Sequence, residues 1–126
     1  QNVKFKKNIT KNEITQLYST SSVAIVSSLY EGFGYPVIEA MSCEVPIIAT
    51  NVSSIPELVS DFGTLIEPKN ENQLKENVLK VMENYDYFKD IAIKGRQHVV
   101  ETFNWSKITS EYEKIIYDTI DRFKKC

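Results

Sequence analysis

Two short stretches, Val23-Ala24-Ile25-Val26 and Pro46-Ile47-Ile48-Ala49-Thr50, are apolar without the polar alternation of a half-solvated strand. A strand of that kind is buried on both faces, which is the habit of parallel sheets. Parallel neighbours cannot be joined by a tight turn; they need a crossover, usually a helix. The residues between the two stretches supply one. Ser27 to Tyr35 reads as a loop with glycines at 32 and 34. Pro36 suits the first position of a helix, where its missing N–H costs nothing, and Val37 to Ser42 continues that helix.

The same alternation extends in both directions. Upstream, Val3-Lys4-Phe5 alternates in the manner of a strand. Thr10 and Glu13 have the spacing of a capping box, ahead of a helix carrying Ile14, Leu17 and Tyr18 on one face. Downstream, Ser54 can cap a short helix with Pro56 and Glu57 in its first turn. Asp61-Phe62-Gly63 reads as a turn and Thr64-Leu65-Ile66 as a further strand. Asn70 and Gln73 resemble an N-cap and its return partner, opening a helix from Glu71 to about Asn84. Two more helices are expected, roughly Asp86 to Glu101 and Ser106 to Lys124. The last has Ile108, Tyr112, Ile115, Ile116 and Ile120 on one stripe, and Trp105 is expected to anchor it to the core. This order predicts an α/β fold: one parallel sheet flanked by helices, with right-handed crossovers, forming a single domain over residues 1–126. Ligands of such sheets sit where strands run out into helices.

Composition removes several classes of function. The 126 residues are 42% hydrophobic and 25% charged, ordinary for a globular domain. A net charge of −2, with basic and acidic residues interspersed, gives no footprint for nucleic acid. No run approaches the roughly 20 apolar residues of a membrane span. Cys43 and Cys126 lack metal-ligand spacing and fit a reduced, cytoplasmic protein, in which the sequons at Asn8, Asn51 and Asn104 carry no meaning. The chain begins without Met and is expected to start in mid-sequence.

The chemistry concentrates in Ser27 to Met41. Gly32 and Gly34 let the backbone approach a ligand closely. Amides at the start of the helix near Pro36 form an anion site with the helix dipole behind it. Glu31 and Glu39, eight positions apart, flank that site. A carboxylate accepts from vicinal hydroxyls through strong, charge-assisted bonds. Pyrophosphate with a sugar at one end and a ribose at the other fits the layout.

These residues carry a family resemblance. Glu31-Gly32-Phe33-Gly34, followed by Pro36, Glu39, Ala40 and Met41, resembles the retaining glycosyltransferases of GT-B architecture, family 4 or group 1 type. The likeness continues through Cys43, Pro46, Ser54, Pro56, Glu57, Gly63 and Phe103-Asn104-Trp105, nearly the whole chain. It implies a Rossmann-like sheet that is the C-terminal, donor-binding half of such an enzyme. It implies a nucleotide-sugar donor (UDP-, GDP- or ADP-linked), a glycan or lipid-linked acceptor, no cofactor and no metal. Glu31 would be the catalytic residue, contacting the transferred sugar and helping to set the reacting centre. Gly32, Phe33 and Gly34 would face the sugar; Pro36, Val37 and Ile38 would meet the distal phosphate; Glu39 would hold the ribose. The N-terminal acceptor domain and the usual Arg and Lys pair are expected upstream of Gln1, so that this chain alone is expected to be inactive. Of its own cations, Lys4, Lys6, Lys7 and Lys11 are candidates by charge only. The whole enzyme would serve polysaccharide or glycolipid synthesis, in the cytoplasm or peripherally at the inner membrane face. Rival readings are a non-catalytic nucleotide-sugar-binding subunit and an epimerase of the same fold.

One position departs from the family pattern: Glu44 stands where glycine is usual, so it must avoid a positive φ or accept strain. Other residues read as structural. His98 is expected to be a helix-packing or surface residue, Cys43 a small buried hydrophobe, and Glu57 equally a dipole partner or a support of the site. Ser53 and Ser54 are candidates to touch phosphate, although capping alone explains Ser54.

Overall fold

A computed structural model describes residues 2–124. Cys126 and Lys125 lie outside the described residues, as does any pairing of Cys43 with Cys126. The elements are α1 (Lys11–Thr20), β1 (Ala24–Val26), α2 (Tyr35–Ser42), β2 (Ile47–Thr50), α3 (Ile55–Val59), β3 (Thr64–Ile66), α4 (Glu71–Glu83), α5 (Tyr85–Thr102) and α6 (Trp105–Lys124). The three strands form one parallel sheet in the order β1-β2-β3. Ala24 pairs with Ile47, and Ile48 with Thr64.

The middle strand explains the architecture. Side chains alternate between faces along a strand. Ile47 and Ala49 enter a core built with Val37, Ala40 and Met41 of α2, Ile55 and Val59 of α3, and Val99 of α5. Ile48 enters a smaller core with Ile66 and Val81, against Leu74 and Val78 of α4. Helices therefore cover β2 on both sides, as its apolar run predicts. The first strand differs from expectation, because Ile25 is 46% exposed. It is an edge of the sheet, and α4 packs on β2 and β3 instead.

Two of the cap signals are seen in the structure, one in full and one in half. The Thr10 hydroxyl accepts from the Glu13 amide at 3.3 Å, and the Glu13 carboxylate accepts from the Thr10 amide at 2.8 Å. Bonds from the Thr10 backbone and hydroxyl hold that carboxyl below the usual glutamate range. Asn70 caps α4 by accepting from the Gln73 amide at 3.0 Å, but Gln73 does not return the bond. Its side chain accepts from the Glu67 amide at 2.7 Å, tying β3's exit to the helix.

Two expectations are corrected. Val3-Lys4-Phe5 is not a strand: both apolar side chains are exposed, and no neighbouring strand supplies the ladder without which an extended segment is unstable. Trp105 is not an anchor, since it is 82% exposed and no residue of α6 is buried. The apolar stripe on α6 exists, but α6 leaves the body at Asn104, whose side chain accepts from the Ser106 amide at 2.9 Å.

Glu44 takes the strained option, at φ 56°. The Glu44 amide donates to Met41 O and the Val45 amide to Ala40 O, a Schellman ending of α2 whose left-handed residue is commonly glycine. The strain is offset by α5. Arg96 meets the Glu44 carboxylate at 3.0 Å, and Lys89 donates to the Glu44 carbonyl at 2.6 Å. The carboxylate is thus paired and adds no free charge to the neighbouring loop.

Candidate functional site

The loop between β1 and α2 is held from three directions. Thr50, buried at the end of β2, donates its hydroxyl to Ser28 O at 2.5 Å and fixes the exit from β1. The Ser28 hydroxyl donates to Glu31 Oε1 at 2.7 Å, which orients a half-buried carboxylate. From α3, the Ser54 hydroxyl donates to Phe33 O at 2.7 Å. Ser54 does precede α3, but its side chain makes no cap there; nothing in the linear order of residues signals that it reaches the loop instead. The Phe33 ring packs edge-to-face with Tyr35 (centroids 5.0 Å) and Phe103 (5.8 Å).

Gly34 turns this loop into a helix. It is the N-cap of α2 at φ 100°, and a Cβ there would lie 2.9 Å from Leu58 Cδ1. The helix begins at Tyr35, so Pro36 occupies its second position rather than its first. Val37 is buried in the core and its amide donates to Gly34 O at 3.0 Å. Free donors at this helix start are therefore fewer than the sequence suggests. The amides of Gly32, Phe33, Gly34 and Tyr35, however, have no protein partner among the described residues. Gly34 is itself buried. Consecutive unpaired amides at a strand-to-helix turn form an anion-binding concavity. Gly32, Phe33 and Tyr35 are exposed, so these amides are open to solvent and free to meet a ligand, and only that of buried Gly34 lacks ready access to water.

Glu39 is exposed on the side of α2 that faces α1. It borders a groove of about 390 Å³ together with Lys11, Thr15 and Tyr18 of α1 and Ile38 and Cys43 of α2. The Tyr18 hydroxyl reaches Pro36 O at 3.5 Å. Burial, with the charge of Glu39 beside it, pushes that phenol above the ordinary tyrosine range, so it remains a neutral donor at physiological pH. Of the candidate cations, Lys11 borders this groove, while Lys4, Lys6 and Lys7 lie exposed on the N-terminal coil.

The candidate residues are thus adjacent along one turn but do not line one cavity. Glu31 and Gly32 to Gly34 form the loop, Glu39 opens toward α1, and Phe33 borders a separate cavity toward α5. A third cavity, of about 320 Å³, lies at the carboxyl ends of the strands among Leu29, Thr50, Ile66 and Lys69. Among the described residues no three His, Cys, Asp or Glu side chains are grouped as a metal site. None of their helices is long and apolar enough to cross a membrane.

Comparison with known proteins decides the family. Residues 1–98 match the family described as glycosyl transferases group 1. The chain belongs to that family. Among its relatives, the O-antigen chain mannosyltransferase B of Escherichia coli is 31% identical over 103 residues, 82% of this chain and 27% of that protein. Sucrose-phosphate synthase from Thermosynechococcus elongatus superposes with a TM-score of 0.83 at 26% identity, over 94% of this chain and 30% of its own. Anabaena HepE, solved in complex with UDP, superposes with a TM-score of 0.77 at 23% identity, over 82% of this chain and 29% of its own. The α/β sheet of this group 1 chain is thus the Rossmann-like fold of GT-B glycosyltransferases. The chain spans less than a third of each of these relatives.

Proposed function

We propose that this chain is the donor-binding part of a retaining glycosyltransferase that moves a sugar from a nucleoside diphosphate sugar to a glycan or lipid-linked acceptor. The run of unpaired amides at Gly32 to Tyr35, with a carboxylate on the loop and another on the helix, carries the reading. Glu39 accepts from the ribose hydroxyls. The amides meet the diphosphate and the sugar it carries, and the dipole of α2 favours the negative charge that grows on the leaving diphosphate. Glu31, oriented by Ser28, accepts from hydroxyls of the sugar at the reacting centre. No cofactor and no metal enter this scheme. Lys11 borders the same groove as Glu39 and would complement the nucleotide half. The N-terminal domain that would hold most of the acceptor, and the cations that complete diphosphate binding, belong to the remainder of the enzyme. The whole works in the cytoplasm or at the inner face of a membrane, in polysaccharide or glycolipid synthesis.

A thermal-shift screen with UDP-, GDP- and ADP-sugars tests the binding. A ligand at ten times its Kd that binds only the folded state adds about 1.4 kcal/mol, raising Tm by roughly 5 °C. One base is expected to act and the others not. A flat response to every nucleotide sugar would remove the proposal.

A further inference from the structure

Of the donor loop, the cavity on its α5 side takes in only Phe33. It measures about 340 Å³ and is bordered by Phe33 and Phe103, by Ser54 and Glu57 of the α3 entry, and by His98 and Thr102 of α5. A compact volume with apolar walls and a few placed polar groups is the usual build of a small-molecule site. Here the mixture is specific. The two aromatic rings stand edge-to-face at 83°, so they offer the cavity a shaped apolar corner. The same lining carries a carboxylate, two hydroxyls and an imidazole, all able to accept from or donate to an alcohol. Glu57 is exposed and has no ion-pair partner among the described residues. His98 packs on Phe62 with centroids 4.9 Å apart, and the Thr102 hydroxyl lies 3.5 Å from its Nδ1. The imidazole is thereby positioned, beyond the helix packing that the sequence suggests for it.

We propose that this cavity binds one pyranose ring of an uncharged saccharide, on the acceptor side of the transfer. A pyranose presents C–H groups on its face and hydroxyls around its rim, which matches a lining that joins an aromatic corner to hydrogen-bonding groups. A charged ligand fits less well, because Glu57 repels anions and a lone exposed carboxylate gives a cation only one contact. The cavity shares Phe33 with the donor loop, and the Ser54 hydroxyl on its wall holds the Phe33 carbonyl. A ring seated there lies against the far side of the segment whose amides face the donor. Binding of the ring stands on the cavity alone; its role as acceptor rests on the transferase reading above.

The test is saturation-transfer NMR on the full chain with methyl α-D-mannopyranoside, methyl α-D-glucopyranoside and the galactoside, alongside a separate UDP titration. At least one glycoside is expected to bind saturably, with a Kd on the order of 1–10 mM. His98→Ala and Thr102→Val should each weaken that binding at least fivefold and leave UDP affinity within twofold, with amide spectra that show both variants folded. No binding by any glycoside, or wild-type binding in both variants, would overturn the proposal. Loss of UDP binding with glycoside binding intact would instead defeat the donor reading and the acceptor role, and leave the cavity a saccharide site.

Discussion

Glu39→Ala is expected to lower affinity for the nucleotide sugar roughly a hundredfold and to leave stability unchanged. Both halves of that result follow from position. The side chain is exposed on α2, so its removal leaves no cavity and no buried charge, and surface changes of that kind stay within about 0.5 kcal/mol. The carboxylate is proposed to accept from two ribose hydroxyls. Hydrogen bonds to a charged group contribute about 1.5–3 kcal/mol each, and loss of the pair leaves the ribose facing a groove lined largely by apolar carbons. Even the lower figure for both together, about 3 kcal/mol, exceeds a hundredfold. Isothermal titration against wild type, with Glu113→Ala on exposed α6 as a remote control, measures it. Equal affinity in Glu39→Ala would remove this residue from the site.

Gly34→Ala should destabilise the whole domain by about 2–4 kcal/mol and lower Tm by about 10 °C or more. Two independent effects add. A left-handed backbone costs a residue with a Cβ about 1–2 kcal/mol, and φ here is 100°. The added methyl would also lie 2.9 Å from Leu58 Cδ1, which must shift toward the cavity it borders, so overpacking adds about 1–2 kcal/mol, the lower part of its usual range. Gly32 is the built-in comparison. A Cβ there meets nothing within 4 Å, so Gly32→Ala should change stability by less than about 1 kcal/mol. Chemical denaturation of the two variants separates the cases. Equal stabilities would show that Gly34 is not the structural pivot of the turn.

The contrast between these glycines marks what the sequence could and could not reveal. Their spacing and the Pro36 that follows announced a strand-to-helix turn, and the apolar runs at Val23 and Ile47 announced a parallel sheet. Those signals are local, and each is decided by residues a few positions apart. The misreadings concern partners distant in the chain. Val3-Lys4-Phe5 has the alternation of a strand but no neighbouring strand to pair with. The α6 stripe has the periodicity of a packed helix, yet none of its residues is buried against the described domain. Ser54 sits where a cap belongs, but its hydroxyl is claimed by Phe33 O, which a linear reading cannot see. Glu44 showed the opposite case: the sequence named the alternatives, and only the meeting with Arg96 and Lys89 chose between them.

For the site, the residue types were legible and their arrangement was not. Glu31 and Glu39 lie on one continuous loop-to-helix segment, but Glu39 borders the α1 groove while Glu31 is tied to Ser28 on the loop. A ligand touching both must therefore run along the start of α2. An amide-resolved NMR titration with the nucleotide sugar selected by thermal shift measures this most directly. The largest shifts are expected on Gly32 to Tyr35 and on Ile38 and Glu39, in one binding event with one Kd. Shifts confined to the cavity around Lys69 and Leu74, with the turn silent, would contradict it.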